Sequence, residues 1–269
     1  SVSTSDHERI QSASSVAPGL YTLVVSLMDS GRKQIDETAL NSVWVLKDAP
    51  AKLVFAHVSD IHIGDPRASM SSSENDADNP DARRAKVLQA ASDSGAQFII
   101  ASGDFASVPG NYKVEYPKAL EEILKNVHIP VFAAPGNHDL YTTSPTAAKA
   151  DGLTFWRDIF GPEYYSVSIG NYRIIAIDTY DWPVKYRNFM NFKLMNQVGS
   201  YTEGAVSGQQ MSWLRGVISR AKADKQSVLV IGHHPIPSNL APVTGATPAG
   251  LISPEDVIKM LVAEKTVAQ

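Results

Sequence analysis

Five short apolar runs recur after residue 50, at Leu53 to Val58, Phe98 to Ala101, Val131 to Ala134, Ile174 to Ile177 and Val228 to Ile231, with helical stretches between them. Runs of that length bounded by polar residues read as buried strands. Strands alternating with helices predict an α/β fold. Asn79-Pro80 opens one helix as N-cap and first helical residue, and Gly95 closes it. A second helix is expected over Pro117 to Asn126. A third, near Ala150 to Phe160, brings Phe155, Trp156 and Ile159 onto one face. Ser207 to Gln210 is a capping-box start, and Met211, Leu214, Val217, Ile218 and Ala221 follow at helical spacing. Ser253-Pro254 starts a last helix. Gly170-Asn171 joins two strand-like runs as a tight hairpin, so the sheet is not purely parallel.

The beginning of the chain reads differently. Residues 1–15 are Ser-rich and polar and are expected to be poorly ordered. Gly19 to Val25 and Ala39 to Leu46 read as strands, with the turn-like Asp29-Ser30-Gly31 between them. Two strands cannot bury a core alone. Residues 1–50 are therefore expected to be a β-strand segment, either the end of an upstream sandwich domain or a hairpin packed on residues 51–269. An upstream sandwich would favour a secreted or cell-surface address.

Four polar motifs sit at the C-terminal ends of four apolar strands: Asp60-Ile61-His62, Gly103-Asp104, Gly136-Asn137-His138-Asp139 and Gly232-His233-His234-Pro235. In open α/β sheets the ligand site lies beyond the carboxyl ends of the strands. One sheet is expected to bring all four to the same edge. Asp60 and His62 are two apart, so on an extended strand end they share a side. Asp104 offers two oxygens, Asn137 an amide oxygen and His233 a second imidazole. Mixed nitrogen and oxygen donors of this kind suit divalent Mn, Fe or Zn. The glycines before Asp104, Asn137 and His233 let the backbone turn sharply. Each motif alone has a bland reading as a polar turn or a buried imidazole. Their order and shared position at strand ends give the metal-binding reading its weight.

Composition narrows the alternatives. The chain has no cysteine, which removes disulfides, thiolate zinc sites and cysteine nucleophiles together. Its formal net charge is -4, so no basic surplus points to a nucleic acid. No apolar run is long enough to span a membrane.

The order of these motifs from about Leu53 onward, together with Ile129 to Asp139 and Gly161 to Asn171, resembles the calcineurin-like metallophosphoesterase family. The resemblance implies a two-sheet α/β/β/α sandwich, here preceded by a short all-β segment. It implies two divalent metal ions, with Asp60 and His62 on the first, Asp104 bridging, and Asn137 and His233 on the second. A hydroxide bridging the two ions would attack phosphorus in a small phosphoester substrate. His138 would act as acid or charge stabiliser, with Asp139 holding its ring. The family also carries a Gly-His-x-His motif that supplies one more ligand to each metal. The sequence ends at Gln269, about where that motif's strand is expected, so the chain reads as stopping short of it. Ser107 replaces the tyrosine of the purple acid phosphatases, and Phe105 to Val108 departs from the protein phosphatases. The cyclic-nucleotide phosphodiesterase and general phosphoesterase branch is the better likeness, although it often carries Asp where Ser107 stands. The competing functions are a scaffold or binding module on the same fold, or an inactive fragment of the enzyme.

Other residues draw plainer expectations. Glu74 to Asp81 reads as a solvated acidic loop, because Pro80 and Asp81 break the register of a calcium loop. Asp178 is expected to be structural, His57 a satisfied core imidazole, and His234 turned away from its ligand neighbour. The aromatic stretch over residues 180–205, with Tyr180, Trp182, Tyr186, Phe189 and Phe192 beside Arg187 and Lys193, is expected to shape a substrate pocket or to pack as a surface excursion.

Overall fold

A computed structural model of the chain describes residues 16–29, 32–64, 80–143, 151–187, 204–234 and 251–252. The stretch at 1–15, most of the acidic loop before Pro80, the aromatics Phe189 and Phe192, Lys193 and the helix expected from Ser253 lie outside these residues. The chain forms two compact units, Ser1–Ala49 and Pro50–Gln269. In the first, β1 (Gly19–Asp29) pairs antiparallel with β2 (Arg32–Val45), both longer than the apolar runs suggest. Val24 and Val25 stand more than half exposed on this ribbon.

Among its described residues the second unit holds two three-stranded sheets. β3 (Phe55–Val58), β4 (Phe98–Ser102) and β5 (Val131–Ala134) are all parallel, with β4 in the middle and buried throughout. A central parallel strand is covered on both faces, which is why it reads as a continuous apolar run. The other sheet is mixed. β6 (Tyr165–Ile169) turns back on β7 (Tyr172–Ala176) through Gly170, whose φ of 55° is left-handed. A later strand, β9 (Ser227–Ile231), runs parallel to β7. The Tyr165 hydroxyl donates to the Ala133 carbonyl and ties the two sheets together. The expectation that one sheet carries all four motifs is therefore corrected: three leave the first sheet and the fourth leaves the second.

Helices cover the sheets. α1 (Pro80–Asp93) packs Leu88 against Ile99, and Gly95 follows it in a left-handed turn. α2 (Tyr112–Asn126) begins five residues before the expected Pro117, which lies inside it. Proline removes one helical hydrogen bond. The tyrosines upstream hold the first turn regardless: Tyr112 donates to the carbonyls of His138 and Tyr141, and Tyr116 to that of Asp139. α3 (Asn137–Leu140) is a single turn, and α4 (Gly152–Ile159) is capped by the Asp151 side chain. β8 (Val206–Ser207), which precedes the last described helix, pairs with a second two-residue strand, β10 (Leu251–Ile252). α5 (Gly208–Ala223) starts at Ser207, whose hydroxyl accepts the Gln210 N–H. Gln210 does not reach back to complete the capping box. Its amide is buried against Asp178 and Asp181, and Asp181 takes the Ser207 N–H instead. Met211, Leu214, Val217, Ile218 and Ala221 of α5 are buried with Ile175, Ile177 and Val228. Each large side chain in that layer contributes about 2 kcal/mol. Among the described residues no helix is long and apolar enough to cross a membrane.

A buried ion pair fastens the turn beyond α3. Arg187 meets Asp151 through two parallel contacts of 2.6 and 2.8 Å, and donates further to the carbonyls of Leu140 and Trp182. Tyr180 and Trp182 are buried in the same cluster as Tyr141 and Trp156. This described part of the aromatic stretch is core.

Candidate metal centre

β3 and β4 are parallel neighbours, so the chain leaves both at the same end of the sheet. The segment after β3 continues alongside the segment after β4. The N–H groups of Asp60, His62 and Ile63 donate to the carbonyls of Gly103, Asp104 and Phe105, at 3.1, 2.9 and 2.8 Å. This pairing turns the backbone left-handed at Asp60, His62 and Asp104, with φ of 56°, 47° and 56°. A β-carbon disfavours that region by about 1 kcal/mol or more per residue. The extended strand end expected for Asp60 and His62 is thus replaced by two strained turns. They still bring the side chains together, with His62 Nε2 3.5 Å from Asp60 Oδ1.

Asp104 is the hub. Its Oδ1 accepts the His138 N–H at 3.0 Å. Its Oδ2 lies 3.5 Å from Nε2 of both His62 and His233. Two glycines let it sit there. A Cβ on Gly136 would come within 2.1 Å of Asp104 Oδ1, and one on Gly103 within 2.5 Å of the Gly136 nitrogen. Gly103 also has a φ of 91°. Gly103→Ala is therefore expected to destabilise the fold by about 3 kcal/mol, the sum of a left-handed alanine and an overlap with backbone that cannot rotate away. Chemical denaturation measures it, and an unchanged midpoint would contradict the close packing.

The remaining expected residues surround this hub. Asn137 donates its amide to the buried Tyr141 hydroxyl at 2.6 Å, which turns its oxygen the other way. His233 Nδ1 lies 2.8 Å from the Ser102 carbonyl, and a carbonyl only accepts. Nδ1 therefore carries the hydrogen and Nε2 keeps a lone pair toward Asp104. His138 Nδ1 is fixed the same way on the Ser107 carbonyl, at 2.8 Å. Asp139 does not hold the His138 ring. It is fully buried, and its carboxylate accepts the N–H groups of Phe105, Ala106 and Gly136 at 2.9 Å each. Asp139 thereby braces the two loops that carry Asp104 and Asn137. Burial and the Asp104 charge push its carboxyl upward, and these N–H donors pull it back.

Among the described residues, two clusters have ligand atoms mutually within 4.8 Å: Asp60, Asp104 and His233, and His62, Asp104 and His138. Asp104 belongs to both. His138, expected outside the ligand set, stands in the second. The neighbouring His62 imidazole, followed by the hydrogen bond from Ser59, holds the Asp60 carboxyl below the usual carboxylate range despite partial burial. Burial works against protonation of His62, but the nearby Asp60 and Asp104 carboxylates outweigh it and raise its pKa.

These residues fit divalent ions. The 3.5 Å gaps around Asp104 Oδ2 are too long for hydrogen bonds. Two ligands on one ion with ~2.1 Å bonds and tetrahedral angles stand about 3.4 Å apart.

Several supports were not visible as such in the sequence. Tyr141 follows Asn137 by four residues, a helical spacing that could have revealed it. Glu115, 1% exposed beneath the loop after Asp104, carries no sequence signal. His57 is exposed on the edge strand rather than in the core, although its Nε2 meets Ser102 Oγ at 2.7 Å. His234 points away from the hub: its Nδ1 meets Thr179 Oγ1, its ring stacks on Tyr180, and burial holds its pKa well below the usual range, at about 3.

Asp178 is buried, accepting the Tyr180 N–H at 2.7 Å. Burial, and then the Asp181 charge, push its carboxyl well above the usual range. A carboxyl raised on folding binds its proton more tightly in the folded state. Its contribution therefore favours folding at low pH and turns against it as pH rises past about 4. Asp178→Asn keeps the Tyr180 bond and removes the ionisation. The variant's gain in Tm over wild type is expected to grow between about pH 5 and about pH 8, by ~3 °C for each kcal/mol. An equal difference at both values would contradict a raised pKa.

The calcineurin-like phosphoesterase family profile matches residues 53–265. A dimetal phosphatase from Danio rerio aligns over 80% of this chain and 79% of its own, at a TM-score of 0.53 and 19% identity, which shows a shared fold. A purple acid phosphatase from yellow lupin (Lupinus luteus) seeds aligns over 75% of this chain and 33% of its own, at a TM-score of 0.44 and 12% identity. No curated protein matches the chain in sequence.

Proposed function

The chain belongs to the calcineurin-like phosphoesterase family, which carries metal-dependent phosphoester hydrolysis, and from that premise we propose how its own residues serve the reaction. Asp60, His62, Asp104, Asn137 and His233 would hold two divalent ions, with Asp104 common to both groups of ligand atoms. Nitrogen and oxygen donors suit Mn, Fe or Zn. Bound there, the ions supply Lewis-acid stabilisation of phosphoryl charge and lower the pKa of water. The observation that carries the reading is the equal 3.5 Å approach of Asp104 Oδ2 to the imidazoles of His62 and His233.

The rest of the chemistry falls to oriented side chains. Tyr141 fixes the Asn137 amide so that its oxygen is the donor atom. The Ser102 carbonyl fixes the His233 tautomer so that Nε2 is the donor atom. His138, held through Nδ1, delivers a proton from Nε2 to the leaving oxygen or stabilises its charge. Asp139 positions the loops and does not touch the substrate.

The test compares metal-stripped protein with protein reloaded with Mn, on bis-p-nitrophenyl phosphate and on p-nitrophenyl phosphate. Hydrolysis of at least one ester is expected with metal, falling to background after chelation and returning on reloading. The ratio between the two esters decides diesterase or monoesterase preference. Metal uptake without hydrolysis of either would favour a binding module on the same fold.

A further inference from the structure

We infer that Glu115 is a positioning residue for His138, acting through the peptide bond between Ser107 and Val108. The inference rests on the reading of His138 as the substrate-facing group. Glu115 lies in the first turn of α2 and is 1% exposed. Its Oε2 accepts the N–H of Ser107 at 2.8 Å and of Val108 at 3.0 Å, and its Oε1 accepts the Asn111 amide at 3.0 Å. The Ser107 carbonyl accepts from His138 Nδ1 at 2.8 Å. That carbonyl and the Val108 N–H belong to one amide group. The imidazole, the amide and the carboxylate therefore form a continuous hydrogen-bonded chain.

Such a chain has a direction. The carboxylate can only accept, so it draws on the Val108 N–H and polarises the amide. Polarisation makes the Ser107 oxygen a stronger acceptor, because linked hydrogen bonds reinforce one another in a low dielectric. A stronger acceptor on Nδ1 fixes the ring rotation and the tautomer in which Nε2 faces away from the loop. A carboxylate bonded directly to an imidazole does the same job. Here Ser107 offers no carboxylate, and the neighbouring Asp139 is turned onto the N–H groups of Phe105, Ala106 and Gly136. Glu115 supplies the charge from one peptide further away. Its own freedom is small. A Cβ on Gly64 would come within 2.2 Å of Oε1, so the end of the Asp60-to-Gly64 loop closes directly over the carboxylate.

Glu115→Gln keeps the shape and removes the charge, with Asn111 able to flip its amide to match. In the metal-loaded enzyme the variant is expected to lower kcat by about 10-fold with KM within about 2-fold. Its metal content is expected to be unchanged. In a His138→Ala background the same substitution is expected to change kcat by less than about 2-fold, because its effect passes through the missing ring. Nitrogen NMR of the histidines, read on metal-free protein, is expected to show His138 protonated at Nδ1 in wild type and a tautomer mixture in Glu115→Gln. An equal loss of kcat in both backgrounds would overturn the inference, as would a wild-type His138 protonated at Nε2 alone. The wild-type spectrum decides even where Glu115→Gln does not fold. Full turnover in His138→Ala would instead remove the reading of His138, and the tautomer measurement separates that failure from this one.

Discussion

Asp104→Asn is expected to leave the fold in place and to remove bound metal, with kcat/KM falling by ~10³-fold or more, about 4 kcal/mol of lost stabilisation. The reason lies in how the two carboxylate oxygens are used. Oδ1 accepts the His138 N–H, and an asparagine oxygen can take that bond over. Oδ2 faces two imidazoles at 3.5 Å, and an amide NH2 in its place carries neither charge nor lone pair. Both clusters lose their common member at once. Metal content after dialysis, read beside the rate, checks the result. Two retained ions with an unchanged rate would contradict the shared role of Asp104.

His138→Ala is expected to separate binding from turnover. The ring is held by the Ser107 carbonyl, and its removal leaves Asp60, His62, Asp104, Asn137 and His233 in place. Metal content is expected to stay near two ions while kcat falls by about 10²–10⁴-fold, the range for loss of a general acid. The loss should be larger for an alkyl phosphoester than for a p-nitrophenyl ester, because the poorer leaving group depends more on a delivered proton. An equal loss for both esters would assign His138 to charge stabilisation alone. Loss of metal instead of rate would make it a ligand, as its place beside His62 and Asp104 allows.

The sequence carried the positions of the metal-centre residues better than their conformations. Gly-Asp, Gly-Asn-His-Asp and Gly-His-His follow β4, β5 and β9, and the glycines stand where a Cβ has no room. Strand ends and forbidden side chains leave marks in one dimension. The left-handed turns at Asp60, His62 and Asp104 left none, because backbone pairing between distant segments imposes them. Pro117 suggested a helix start, but the buried hydroxyls of Tyr112 and Tyr116 set the true start upstream. Adjacency in sequence points Asp139 at His138, whereas its carboxylate is consumed by N–H groups from residues more than thirty positions away as well as by Gly136. Glu115 looks like any surface glutamate until tertiary structure buries it. Partners brought together by the fold cannot be read from spacing.

Everything proposed for this centre rests on Asp104 serving two ions. Crystals of the protein grown with Mn and measured at the manganese absorption edge test it most directly. Two anomalous peaks about 3.5–4 Å apart are expected, each within bonding distance of Asp104. One peak should also lie against His62 and the other against His233. A single peak, or two peaks of which one lacks Asp104, would contradict it.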